Sequence, residues 1–299
     1  MRVFVTGATG FVGSAVVQEL ISAGHRVLGL ARSNAAANAL AEVGAEVHRG
    51  NLENLESLRA GAAASDAVIH TGFIHDFSRF KEVCEIDGRA IEAIGAELVG
   101  SDRPLIISAG VALVAPGRFA TEQDVGPSVS DAYPRVSEKE AALQAALGVH
   151  VSVIRLAPSV HGEGDYGFIP MLINLAMERG VSAYIEGGLN RWSAVHRFDA
   201  AQLYRLVLEK GAAGARYHGI AEEGIAFREI AEAIGRGLNV PVVSKSQEEA
   251  ADHFGWFSSF AGLDCAASSQ QTRAQLGWQP KQIGLIADLD KLRYFGALR

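Results

Sequence analysis

Short, mostly apolar runs recur along the first 160 positions, each followed by a longer stretch rich in Ala, Leu and Glu. The runs at 2–5, 26–30, 46–48, 67–70, 105–108 and 151–155 show no clean apolar–polar alternation, the pattern of strands covered on both faces. The stretches between them read as crossover helices, among them Ala-rich pieces at 36–41 and 60–64 and longer ones at 87–98 and 136–147. Strands alternating with helices in this way predict an α/β fold built on a doubly wound parallel sheet. After Pro158 the rhythm breaks. Gly and aromatic residues scatter between Gly162 and Trp192, followed by a helix at 200–209, a strand at 216–218, a helix at 227–238 and a Trp-containing C-terminal region. The expected organisation is a larger unit over 1–157 plus 194–219 and a smaller cap over 158–193 plus 220–299.

The first strand runs into Thr6-Gly7-Ala8-Thr9-Gly10-Phe11-Val12-Gly13 at the mouth of a helix. Gly7 permits a tight turn, Gly10 lets backbone approach a pyrophosphate, and Gly13 lets helix and strand pack closely, so this loop is expected to bind a dinucleotide. The end of the second strand chooses which one, because a carboxylate there would bond the adenosine ribose and repel a 2′-phosphate. The chain has Ala31, Arg32 and Ser33 instead, a planar cation and a hydroxyl, which favours NADP(H). Asn51 and Leu52 are expected beside adenine, and Thr71, Gly72 and Phe73 along the middle of the cofactor.

Composition narrows the rest. The 299 residues are 48% hydrophobic and 20% charged, ordinary for a globular chain. Lys+Arg number 27 against 34 Asp+Glu, and a net charge of −7 leaves nothing to neutralise a run of phosphates, so nucleic acid is not an expected partner. Cys84 and Cys265 lie far apart with no metal-ligand spacing around them, which predicts reduced thiols and no metal site. No leader-like segment and no membrane-length apolar run is present, and a cytoplasmic protein without membrane partners is expected.

The spacing Thr6-Gly7-x-x-Gly10-x-x-Gly13, the strand Asp66-Ala67-Val68-Ile69-His70, the element Arg155-Leu156-Ala157-Pro158 and Val195-His196-Arg197-Phe198-Asp199 together resemble the extended short-chain dehydrogenase/reductases, the NAD(P)-dependent epimerase/dehydratase group. The resemblance implies a Rossmann domain, a C-terminal substrate domain and often a homodimer, here through the helices at 87–98 and 136–147. It also implies that Ser108, Arg135, Leu156, Pro158 and Ser159 flank the nicotinamide half of the cofactor.

Most of that group uses a Ser or Thr with a Tyr and a Lys four residues apart, the Tyr exchanging the proton while the Lys holds the ribose and depresses the phenol pKa. This chain departs from that pattern. Tyr133 has Ser137 at the fourth position, and if Tyr133 sits at the mouth of the following helix, Lys139 is turned by about 200° to the wrong helix face. Ala109 or Gly110 stands where relatives place the hydroxyl, leaving Ser108 nearer the strand end. The departure resembles an atypical branch of the group in which basic residues replace the usual set, with Arg135 supplying charge. Arginine cannot give up a proton at neutral pH, so the donor is Tyr133 or a pocket histidine, His161 or His75. Tyr166 and Trp192 are expected to line the substrate pocket, while His196 and Asp199 brace a helix start. The sequence therefore predicts an NADP(H)-dependent oxidoreductase of a small carbonyl or alcohol. A nucleotide-sugar epimerase or dehydratase and a catalytically silent NADP-binding sensor are the alternatives.

Overall fold

The computed structural model describes residues 1–131, 133–291 and 293–296; Ala132, between Asp131 and Tyr133, and the end of the expected cap lie outside them. Five β/α units and a sixth strand open the chain: β1 (Arg2–Thr6), α1 (Phe11–Ser22), β2 (Arg26–Ala31), α2 (Asn34–Glu42), β3 (Glu46–Arg49), α3 (Leu55–Ala63), β4 (Ala67–His70), α4 (Phe80–Ala96), β5 (Leu105–Gly110), α5 (Ser137–Ala146) and β6 (Val151–Leu156). There follow β7 (Ser159–His161), α6 (Phe168–Arg179), β8 (Ser182–Ile185), β9 (Arg191–His196), α7 (Arg197–Lys210), β10 (Arg216–Gly219), β11 (Glu222–Ala226) and α8 (Phe227–Leu238). The chain continues with β12 (Val242–Lys245), α9 (Gln247–Phe254), α10 (Ser258–Ala261), α11 (Gln270–Leu276) and α12 (Leu285–Leu289).

Seven strands form one parallel sheet in the order β10-β6-β5-β4-β1-β2-β3. The order reverses between β1 and β4, and a crevice opens beyond the carboxyl ends of those strands, where such sheets take ligands. Each central strand is buried on both faces. Val3 and Val5 of β1 pack with α1 and α7, whereas Phe4 turns to the opposite core with α3 and α4. That two-sided burial is why the strands read as apolar runs.

The strand at 216–218 joins this sheet as β10, whereas β9 pairs with β7 and β11 in a separate sheet. The segment read only as Gly and aromatic residues holds α6 and β8. Pro170 is tolerated there because it sits in the first helical turn, where no intrahelical amide bond is lost. A third core gathers Trp192, Phe227, Phe254 and Phe257. Among the described residues no helix is long and apolar enough to cross a membrane, and no cluster of three or more His, Cys, Asp or Glu is placed to hold a metal.

One buried ion pair ties the segment after Tyr133 to the sheet. Arg155 on β6 is fully buried, and its Nε and Nη2 each donate to a carboxylate oxygen of Glu138 at 2.7 Å. Nη1 lies 3.4 Å from Nε2 of His218, whose Nδ1–H donates to Ser268 O. Burial is the largest influence on His218 and lowers its pKa, which keeps Nε2 able to accept from the arginine.

Candidate functional site

Parallel pairing of β1 with β4 sets Thr6 opposite His70 and brings the two following loops together. Gly7 has φ +65°, and a Cβ on it would stand 2.7 Å from Gly72 N; a Cβ on Gly13 would stand 2.0 Å from Gly7 O. Neither position admits a side chain. The turn is thereby left as bare backbone in front of α1, whose N-cap Gly10 offers no side-chain cap, so it fits the phosphates of a dinucleotide. Tyr166 lies here: its hydroxyl accepts from Phe11 N at 3.2 Å, and 61% of the residue is exposed. Arg197 reaches the same place, with Nη2 donating to Ser14 Oγ at 2.8 Å and its guanidinium 4.7 Å from the Phe11 ring. Ala8 is buried under the loop, Thr9 is exposed, and Phe11 and Val12 remain partly open.

At the end of β2, Ala31 is buried and Arg32 and Ser33 are exposed. Ser33 Oγ accepts from Ala36 N at 3.1 Å and so caps α2. A second cation, Arg49, braces this turn by donating to Ser33 O at 2.8 Å and Asn34 Oδ1 at 2.9 Å. Asn51 organises the next loop by accepting from the amides of Glu53 and Asn54 with its side-chain oxygen. Leu52 packs toward Gly72, its Cδ2 3.0 Å from where a Cβ would stand.

The opposite side of the crevice carries the residues of the altered motif. Arg135 lies over the Phe73 ring at 4.3 Å, and its charge acts on both Tyr133 and His75. The sequence predicts a phenol depressed by that charge, but burial of Tyr133 is the larger influence and its pKa is raised. His75, exposed at its surface, has its pKa lowered, chiefly by desolvation and then by Arg135. Ser108 is not bonded to Tyr133. Its Oγ lies 2.6 Å from the hydroxyl of Tyr204 on α7 and 2.8 Å from His70 O, and the fully buried Tyr204 has its phenol pushed further up by desolvation.

A buried chain of hydrogen bonds joins the two sides. Gly72 N donates to Thr6 Oγ1 at 3.1 Å, Thr6 Oγ1 lies 2.8 Å from His70 Nδ1, and His70 Nε2 lies 3.1 Å from Asp87 Oδ1. Ser137 donates to Asp87 Oδ2 at 2.6 Å and accepts from Arg135 Nε at 3.3 Å. The carboxylate can only accept, so His70 donates from Nε2 and Nδ1 takes the Thr6 hydroxyl proton. Ser137, at the position where relatives carry lysine, therefore holds Arg135 in place. Lys139 is exposed and lies 3.8 Å from Glu140, away from the crevice.

Residues 3–82 match the profile of the NAD dependent epimerase/dehydratase family. An uncharacterized protein of Schizosaccharomyces pombe is 49% identical over 99% of this chain and 100% of its own length. The chain belongs to the NAD dependent epimerase/dehydratase family. Within it, a 4-hydroxy-2-methyl-3-oxo-4-farnesyl-3,4-dihydroquinoline-1-oxide ketoreductase of Stigmatella aurantiaca is 26% identical over 73% of this chain and 67% of its own. The dTDP-glucose 4,6-dehydratase DesIV of Streptomyces venezuelae shares the fold, with a TM-score of 0.76 at 20% identity, covering 99% of this chain and 97% of that one. These matches place the chain among the extended short-chain dehydrogenase/reductases, a group of NAD(P)-binding oxidoreductases.

Other family positions fall away from the crevice. Trp192 is buried against Phe168 and Phe227 and lines no open pocket. His161 is likewise 1% exposed, with Nδ1 3.0 Å from Asp288 Oδ2, so it belongs to the interior between β7 and α12. His196 Nδ1 accepts from Phe198 N and braces the start of α7, as the sequence suggested, whereas Asp199 accepts from the amides of Lys281 and Gln282 and ties the helix to a distant loop instead. Leu156 and Pro158 flank the buried Ala157 at the end of β6, and Ser159 is buried on β7. Cys84 and Cys265 are buried thiols pushed up by desolvation to about 11 and about 12.

Proposed function

We propose that the protein is an NADP(H)-dependent reductase of small carbonyl compounds, with Tyr133 as proton donor and Arg135 as the cation beside it. The observation that carries this reading is the pairing of a phenol kept protonated by burial with a guanidinium positioned over Phe73 at the same crevice. When bound, the cofactor supplies the hydride that adds to the carbonyl carbon. The Tyr133 hydroxyl gives its proton to the carbonyl oxygen, and Arg135 stabilises the negative charge developing there and on the phenolate. A protonated donor suits reduction in the direction of the alcohol. The Gly7–Gly13 turn holds the pyrophosphate, with Tyr166 and Arg197 at its rim, and the segments 158–193 and 220–299 shape the substrate side. A screen of aldehydes, ketones and enones for NADPH oxidation tests the reading; cofactor binding by a folded protein without any oxidation would make it a silent binding protein instead.

Arg32 and Arg49 stand together at the ribose end, and this supports NADPH over NADH. NADPH is expected to bind at least about tenfold more tightly, ~1.4 kcal/mol. Arg32→Ala is expected to erase most of that difference in a fluorescence titration, and equal affinities in the native protein would refute the assignment.

The assembly we propose is a homodimer through α4 and α5. Leu143 of α5 and Leu147 just after it are 47% and 60% exposed, an apolar edge that pairing of two copies would cover. Light scattering at micromolar concentration is expected to report twice the chain mass; a monomer would remove the proposal.

A further inference from the structure

From Arg135 the crevice continues into a row of aromatic rings that crosses from the large sheet to the segment after α9. Phe73, under the guanidinium, meets His75 at 5.3 Å and Phe80 at 6.3 Å between ring centres. Both of those meet Phe77, which reaches Phe168 at 6.3 Å and stacks on Trp256 at 5.4 Å with 27° between the planes. The arrangement is built by local structure. Asp76 accepts from Ser78 N and holds the tight turn that presents Phe77, and Gly255 at φ +56° swings the chain so that Trp256 faces it.

Of these rings Phe168 packs on the third core against Trp192 and Phe257, whereas Phe73, Phe77, Phe80 and Trp256 belong to none of the cores. Phe73, Phe77, Phe80 and Phe168 are only partly covered, and Trp256 is 54% exposed, whereas Trp192 and Trp278 are buried. Leaving this much aromatic surface in contact with water forgoes the burial that ordinarily stabilises a fold, and contiguous surface of this kind marks binding. The cations along this edge are engaged: Arg79 with Asp76 and Glu82, both at 3.0 Å, and Lys81 with Asp131 at 2.7 Å. A diphosphate would find no uncommitted positive partner among them.

We propose that this row of rings is the substrate surface and that it takes an apolar carbonyl compound bearing an aromatic ring. The ring stacks along Phe77 and Trp256 while the carbonyl reaches the Tyr133–Arg135 end. The inference rests on the reductase reading above, and its test separates the two.

Trp256 is the exposed tryptophan of the three, so acrylamide quenching of intrinsic fluorescence reports on it. With NADP+ present, benzylacetone is expected to protect the full-length protein from acrylamide at concentrations where butanone and UDP-glucose do not. In the NADPH-coupled assay kcat/KM for benzylacetone is expected to exceed that for butanone by about tenfold or more. Phe77→Ala retains the Trp256 signal and is expected to weaken protection and bring the two kcat/KM values within about threefold, with Phe77→Tyr restoring both. Protection by benzylacetone without turnover of either ketone supports the aromatic surface and removes the reductase. Equal kcat/KM values with no protection, or protection by UDP-glucose at lower concentration, overturn the aromatic surface and leave reduction standing.

Discussion

Tyr133→Phe is expected to lower kcat for carbonyl reduction by roughly 10²- to 10⁴-fold while leaving NADPH affinity within about twofold. The hydroxyl's proton is needed only as the carbonyl oxygen gains charge, and loss of one oxygen atom leaves the ring's packing in place. The pH profile provides a second readout. Burial raises the Tyr133 pKa above its ordinary value near 10, so the phenol is protonated throughout the physiological range and kcat/KM stays level between about pH 6 and 9. If His75 were the donor, the sign would differ. Its pKa lies below 6.5 through desolvation and the Arg135 charge, so above that pKa its acid form would vanish and the rate would fall by about tenfold per pH unit, and not stay level. Stopped-time assays of NADPH oxidation across this range decide between them; a Tyr133→Phe enzyme retaining a third or more of native kcat would rule out the phenol.

Glu138→Ala is expected to cost ~3–5 kcal/mol of stability, because it leaves the fully buried Arg155 guanidinium without the two carboxylate bonds at 2.7 Å. The remaining contact, 3.4 Å to His218, joins two groups of which only one carries charge. For a chain of this size the loss corresponds to a fall in melting temperature of about 10 °C. Glu138→Gln keeps one acceptor and is expected to lose about half as much. Urea and thermal unfolding followed by circular dichroism measure both; a change under about 2 °C for Glu138→Ala would show that water compensates the guanidinium. The substitution also bears on chemistry, since Glu138 fixes the start of α5 and hence the segment carrying Tyr133 and Arg135.

The sequence by itself determined the sheet and its cofactor loop. Strands covered on both faces must be apolar throughout, so 2–5, 67–70, 105–108 and 151–155 announce themselves without partners. Gly7 and Gly13 are equally local, since a positive φ and a contact that excludes a Cβ each demand glycine within one turn. The missing lysine was legible too, because Ser137 stands four residues after Tyr133; the helical rotation expected to carry Lys139 away does not apply, since α5 begins only at Ser137 and Tyr133 lies before it. Tertiary structure alone decided how the site is assembled. The register that sets Thr6 opposite His70 is carried by backbone hydrogen bonds common to every residue type, so nothing in the composition revealed the chain through Asp87 and Ser137 to Arg135. Tyr204 reaches Ser108 from a helix 96 residues away, and Asp288 meets His161 across 127. Trp192 and His161 looked like pocket residues for their chemistry, but burial is a property of how layers pack, and the layer formed by α6, α8 and α12 closes over them. The sign of the Tyr133 shift turned on the same fact: the opposing charge of Arg135 is visible two residues along the chain, whereas the desolvation that outweighs it exists only once the segment has packed against the sheet.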